Sequence, residues 1–136
     1  MKKKQVLILA ILLVVIIGGY FSVKGIKAYA DLKTYQKQVA DITIANVDVS
    51  KVADGTYTGK CEVLWVAAEV NVTVKNHKIE GIDLVKHKNG RGTSAEIIPG
   101  KVVEAQSLEV DIVSGATSSS KVILKAIENA LTGAQK

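Results

Sequence analysis

Residues 111–120 read DIVSGATSSS, and KVILKAIENAL follows directly. In the second stretch Val122, Ile123, Ala126, Ile127, Ala130 and Leu131 fall at helical spacing, with Lys121, Lys125, Glu128 and Asn129 on the opposite face. The spacing predicts an amphipathic helix over 118–131, with Gly133 placed to end it. A helix start presents unbonded N–H groups and the positive end of the macrodipole. The small-residue turn Ser114, Gly115, Ala116, Thr117 is therefore suited to holding a phosphate. One of Ser118, Ser119 and Ser120 is enough to cap the helix. The remaining hydroxyls, with Asp111 just upstream, exceed what a cap requires, and a phosphate held covalently there needs a hydroxyl.

Other chemistry is sparse. The one cysteine, Cys61, excludes an internal disulfide and a multi-cysteine metal site. Flanked by Lys60 and Glu62 it reads as a strand residue. His77 falls in a predicted turn and His87 at a strand end, neither with a nearby carboxylate or cysteine at ligand spacing, so no metal site is expected. Trp65 reads as core or interface, or as a surface on which a planar ligand stacks. Most of the net charge of +5 lies in the first fifty residues; beyond them acidic and basic residues nearly balance. No basic stripe alternates with aromatics, so no nucleic-acid partner is expected.

The first fifty residues explain that charge. Lys2, Lys3 and Lys4 precede an uncharged run, 5–23, long enough to cross a bilayer at about 1.5 Å per residue. The lysines put residues 1–4 in the cytoplasm and the rest outside. A cleaved signal peptide is the competing reading, with AYAD (Ala28 to Asp31) as the small-x-small site, but the apolar run exceeds a usual signal core. Ala28, Leu32, Tyr35 and Val39 then suggest a short helix in a stalk, 24–53.

The domain proper is expected over 54–132. Asp54-Gly55 opens a first strand. Val70, Val72 and Val74 alternate with polar residues in a second, Asn76-His77 is a candidate two-residue turn, and Ile79 to Val85 returns as a third. HKNGRG (87–92) is a polar loop. TSAEIIPGKVVEAQS reads as short helical turns broken at Pro99-Gly100, with Thr93 or Ser94 as a cap. LEVDIV reads as a short strand or extended run. The fold class is α+β: a small antiparallel sheet packed against the C-terminal helix and short helices, preceded by one transmembrane helix.

DIVSGATSS resembles the flavinylation motif of the FMN-binding domain family: Asp, two spacers, Ser/Thr, Gly, Ala, Thr/Ser. DGTYTG (54–59), VTVKNHKIEGIDLVKHK and PGKVVEAQSLEVD are similar to the opening, hairpin and run-up of that domain. The domain also occurs in the peripheral flavoprotein subunits of Rnf and Nqr membrane redox complexes. The resemblance implies FMN joined through a phosphoester to Thr117 by an FAD-dependent flavin transferase that releases AMP. Asp111, Ser114, Gly115 and Ala116 would be the residues the transferase reads, with Ser118 beside them. His87, Asn89, Arg91 and Trp65 are candidates for the ring contacts; the loop after the hairpin lacks the acidic ETPG-like segment of many relatives. Implied too are an extracytoplasmic electron carrier rather than a stand-alone enzyme, and a membrane redox partner or quinone-linked dehydrogenase. A noncovalent flavin or ligand module, and a non-redox interaction domain on a membrane stalk, are the alternatives.

Overall fold

The computed structural model describes residues 2–88 and 92–135. Helix α1 runs Lys3–Asp41, followed by a 3-10 turn at Val49–Lys51. Strands β1 (Gly55–Glu62), β2 (Ala67–Lys75) and β3 (Lys78–Lys88) come next. A 3-10 turn, Thr93–Ile97, leads into α2 (Ile98–Ala105), and α3 spans Thr117–Ala134. The chain divides into two compact units, Met1–Thr34 and Tyr35–Lys136.

The first unit is apolar helix. By length and composition α1 can cross a membrane. Its Ser22 hydroxyl donates to the Gly18 carbonyl at 2.8 Å, which keeps that polar group satisfied within the helix itself. Lys24 places its ammonium 4.7 Å from the Tyr20 ring centroid, where the apolar run gives way to charge.

In the second unit the three strands form one antiparallel sheet in the order β1-β2-β3. The expected α+β architecture is the one observed. Val70, Val72 and Val74 are 0–1% exposed, as the period-two pattern requires of a sheet with one covered face. Asn76 (φ 51°) and His77 (φ 61°) both adopt positive φ, the type I′ geometry that matches the twist of the hairpin. The sheet is covered by α3, whose Val122, Ile123, Ile127 and Leu131 are fully buried. Each such side chain contributes about 1.5–3 kcal/mol when withdrawn from water. Helix and strand meet backbone to backbone at Gly59, where a Cβ would fall 2.6 Å from the Ala130 nitrogen. Asn129 reinforces the crossing by donating to the Lys60 carbonyl at 2.8 Å.

Several local expectations are corrected. Pro99-Gly100 does not break a helix: Pro99 lies in the first turn of α2, where its missing N–H has no intrahelical role. Gly92, not Thr93 or Ser94, precedes the 3-10 turn, without a side-chain cap. Residues 109–113 carry no regular secondary structure, so the strand reading of LEVDIV is not met. Gly133 does not end α3, which continues to Ala134. The stop at α2 comes instead from Gln106 at φ 52°, whose amide bridges to Ile79: Ile79 N–H donates to Oε1 and Nε2 donates to the Ile79 carbonyl, both at 2.8 Å.

Candidate functional site

Residues 111–120 build the start of α3 around one tight turn. Gly115 has φ +79°, a left-handed conformation that any side chain would strain, although the space beside it is open. The Ala116 N–H returns to the Val113 carbonyl at 3.0 Å, and Ser120 N–H makes the first helical bond, to the Ala116 carbonyl, at 2.9 Å. The N-cap is Ala116, and no side chain caps the helix. The expectation that one of the three serines would do so is corrected, since all three lie inside the first turn. The first-turn N–H groups of Thr117, Ser118 and Ser119 precede any intrahelical acceptor, and the positive end of an 18-residue helix stands behind them.

Two of the serines are engaged elsewhere. Ser120, fully buried, accepts from the Val113 N–H at 3.1 Å and so locks the approach to the turn. Ser119, 2% exposed, lies 3.1 Å from His87 Nε2, and His87 Nδ1 lies 3.0 Å from Glu96 Oε1. A carboxylate only accepts, so Nδ1–H donates to Glu96, and Nε2 is left facing the Ser119 hydroxyl. The imidazole side chain is 3% exposed. His87 therefore does have a carboxylate partner, nine residues along the chain, which local spacing hid. The row runs from the 3-10 turn through the end of β3 to the first turn of α3, pinning the helix start to the sheet. A serine–imidazole–carboxylate row also suits nucleophilic catalysis, but the burial of Ser119 favours the structural role.

Thr117 differs from Ser119 and Ser120. It is exposed, and among the described residues none hydrogen-bonds its hydroxyl. It opens onto a cleft of about 310 Å³, lined by Tyr35 and Val66, by Gly92, and by the run Gly115 to Ser119. That volume is at the lower end of small-molecule sites. Of the residues singled out from the sequence, Gly115, Ala116, Thr117 and Ser118 share this cleft, and His87 supports it through Ser119. Ser114 is exposed in the adjoining turn. Asp111 is exposed as well and faces a separate depression beside Lys101 and Glu104. Asn89 and Arg91 lie outside the described residues. Sequence reasoning missed Tyr35, Glu96 and Ser119 as contributors. Tyr35 was visible only as one apolar position on a helix, and Glu96 had no local signal.

Titration elsewhere is modest. Burial pushes the Cys61 thiol up, partly offset by the Lys125 ammonium. Hydrogen bonds from the Ser50 hydroxyl and backbone hold the exposed Asp48 carboxyl below its usual value.

An uncapped helix start, an accessible hydroxyl on its first residue and an adjoining cleft fit the phosphate end of a flavin mononucleotide. The model of the FMN-binding domain family matches residues 64–132. An uncharacterized protein of Treponema pallidum (strain Nichols) is 31% identical over 85 residues, which is 60% of this chain and 24% of that protein, so the chain spans about a quarter of its relative's length. With its hairpin, its C-terminal helix and the turn between them all falling in the matched region, this chain belongs to the FMN-binding domain family, and FMN is its cofactor.

Proposed function

We propose that the protein is a membrane-anchored, extracytoplasmic electron carrier holding FMN through a phosphoester at Thr117. The observation that carries the reading is the Thr117 hydroxyl, exposed and unengaged at the first position of an uncapped 18-residue helix, beside serines whose hydroxyls are committed to His87 and Val113. In the attachment step Thr117 Oγ bonds to the phosphorus of the FMN half of FAD. The pyrophosphate linkage breaks, AMP leaves and the threonine proton is lost; no electrons move. An FAD-dependent flavin transferase would read Asp111, Ser114, Gly115 and Ala116, of which Asp111 and Ser114 are exposed.

Bound FMN supplies the acceptance and release of one or two electrons. The chain's own part is to hold the phosphate at the α3 start, to fix that start to the sheet through the His87 row, and to keep the cofactor on a domain tethered by α1. A covalent tether suits an exported domain, which cannot count on rebinding free FMN. The three lysines at the N-terminus favour a cytoplasmic start and an external domain. Electrons would pass between a membrane redox partner, such as a quinone-linked dehydrogenase, and an acceptor outside.

The test is intact mass of the full chain after co-expression with a flavin transferase. Wild type should gain one FMN-phosphate increment and Thr117→Ala none. A yellow protein of unmodified mass that loses its colour on denaturation would instead be a noncovalent flavin module, and a colourless one an interaction domain.

A further inference from the structure

Tyr35 stands at the point where the N-terminal helix enters the FMN domain, and it lines the same cleft as Thr117. It is half-buried, and its ring lies 4.8 Å from that of Trp65, tilted by 37°. Trp65 is 43% exposed and is the chain's one tryptophan. The stretch around Tyr35 is fixed in place. Leu64 N–H donates to Gln38 Oε1 at 2.8 Å, Lys121 Nζ donates to the Val39 carbonyl at 3.5 Å, and Lys125 Nζ donates to the Thr43 carbonyl at 3.1 Å. Val39 and Ile42 pack against the core. Two of these anchors come from α3, the helix that begins with Thr117.

We propose that Tyr35, backed by Trp65, is the platform on which the isoalloxazine ring of FMN lies. The inference rests on attachment at Thr117. A phosphoester tether fixes one end of the cofactor and leaves the ribityl chain free to swing, so ring orientation has to come from a second contact. Among the described residues lining the cleft Tyr35 alone is aromatic, and a planar, electron-poor ring stacks on a phenol face that packs against an indole. The flavin site is then a joint product of the FMN domain and the segment that leaves the apolar helix.

The experiment compares full-length wild type, Tyr35→Phe and Tyr35→Leu, each co-expressed with a flavin transferase and purified in detergent. Intact mass is read first. If wild type lacks the FMN-phosphate increment, the attachment reading fails, independently of the platform. On flavinylated protein, visible circular dichroism and flavin emission are then recorded. The platform predicts quenched emission and defined visible bands in wild type, visible bands retained in Tyr35→Phe, and emission several-fold brighter with the bands collapsed in Tyr35→Leu. Leucine keeps the apolar packing, so the domain should stay folded. If it does not, Trp65→Leu, which withdraws only the backing ring, should brighten the flavin partway toward its denatured level. Tyr35→Leu, or failing that Trp65→Leu, with the emission and visible bands of wild type overturns the proposal.

Discussion

Replacing Gly59 by alanine tests how the site is positioned. Gly59 is buried in β1 where α3 crosses the sheet, and an added Cβ would run into the Ala126 carbonyl oxygen and lie 2.6 Å from the Ala130 nitrogen and 2.8 Å from the Ala130 Cβ. Ordinary van der Waals contact begins at 3.4 Å, so clearing the Ala126 carbonyl requires helix and strand to part by more than ~1 Å along a face lined by Val70, Val72, Ile123 and Ile127. Overpacking of this kind costs about 1–3 kcal/mol, and a clash with backbone belongs at the upper end, ~2–3 kcal/mol. For a unit of this size that lowers the melting midpoint by roughly 10–20 °C. The assay is thermal unfolding of the full chain in detergent, followed by far-ultraviolet circular dichroism. Gly81→Ala is the control, because nothing lies within 4 Å of its added Cβ and its midpoint should barely move. Equal midpoints for Gly59→Ala and Gly81→Ala would refute the account of a backbone-to-backbone crossing that aims the start of α3.

Three further outcomes follow from the same geometry. His87→Ala removes the bonds to Glu96 and Ser119 and should cost about 2–3 kcal/mol in a denaturant titration, since Ser119 keeps a buried hydroxyl without its partner; a loss under about 0.5 kcal/mol contradicts the pinning role. His77→Gly relieves a positive φ of 61° and should raise stability by about 0.5–1 kcal/mol, against no change if the turn carries no strain. Burial raises the Cys61 thiol, so the native state holds this proton more tightly than the unfolded chain: its stabilising effect is full below the ordinary thiol value and is lost as pH rises through the raised one. Cys61→Ser should therefore flatten the alkaline decline in stability, and an identical slope in both proteins counts against a shifted thiol.

Much of the fold was legible because its signals are local. Val70, Val72 and Val74 alternate, Asn76-His77 accepts positive φ, and the apolar stripe of α3 keeps its period through Leu131. The caps were misread for the opposite reason. Ser119 and Ser120 look like capping residues in sequence, but their partners are His87, far along the chain, and the Val113 N–H, and these contacts draw the hydroxyls inward. Pro99 was read as a breaker because a proline interrupts a helix everywhere except its first turn. The motif singled out Thr117 from order alone. The physical distinction between Thr117 and the buried Ser119 and Ser120, an exposed hydroxyl against two engaged ones, appears only when the chain is folded. Tyr35 had no signal beyond helical spacing, because its place beside Thr117 depends on how the end of α1 meets the domain.

The central claim is the bond at Thr117, and the direct measurement is fragmentation mass spectrometry of the tryptic peptide VVEAQSLEVDIVSGATSSSK, residues 102–121, from the flavinylated protein. The account predicts a single FMN-phosphate increment on fragments that contain Thr117 and on none that contain only Ser114 or only Ser118 to Ser120. An increment on one of those serines, or an unmodified peptide from a protein that remains yellow, would contradict it.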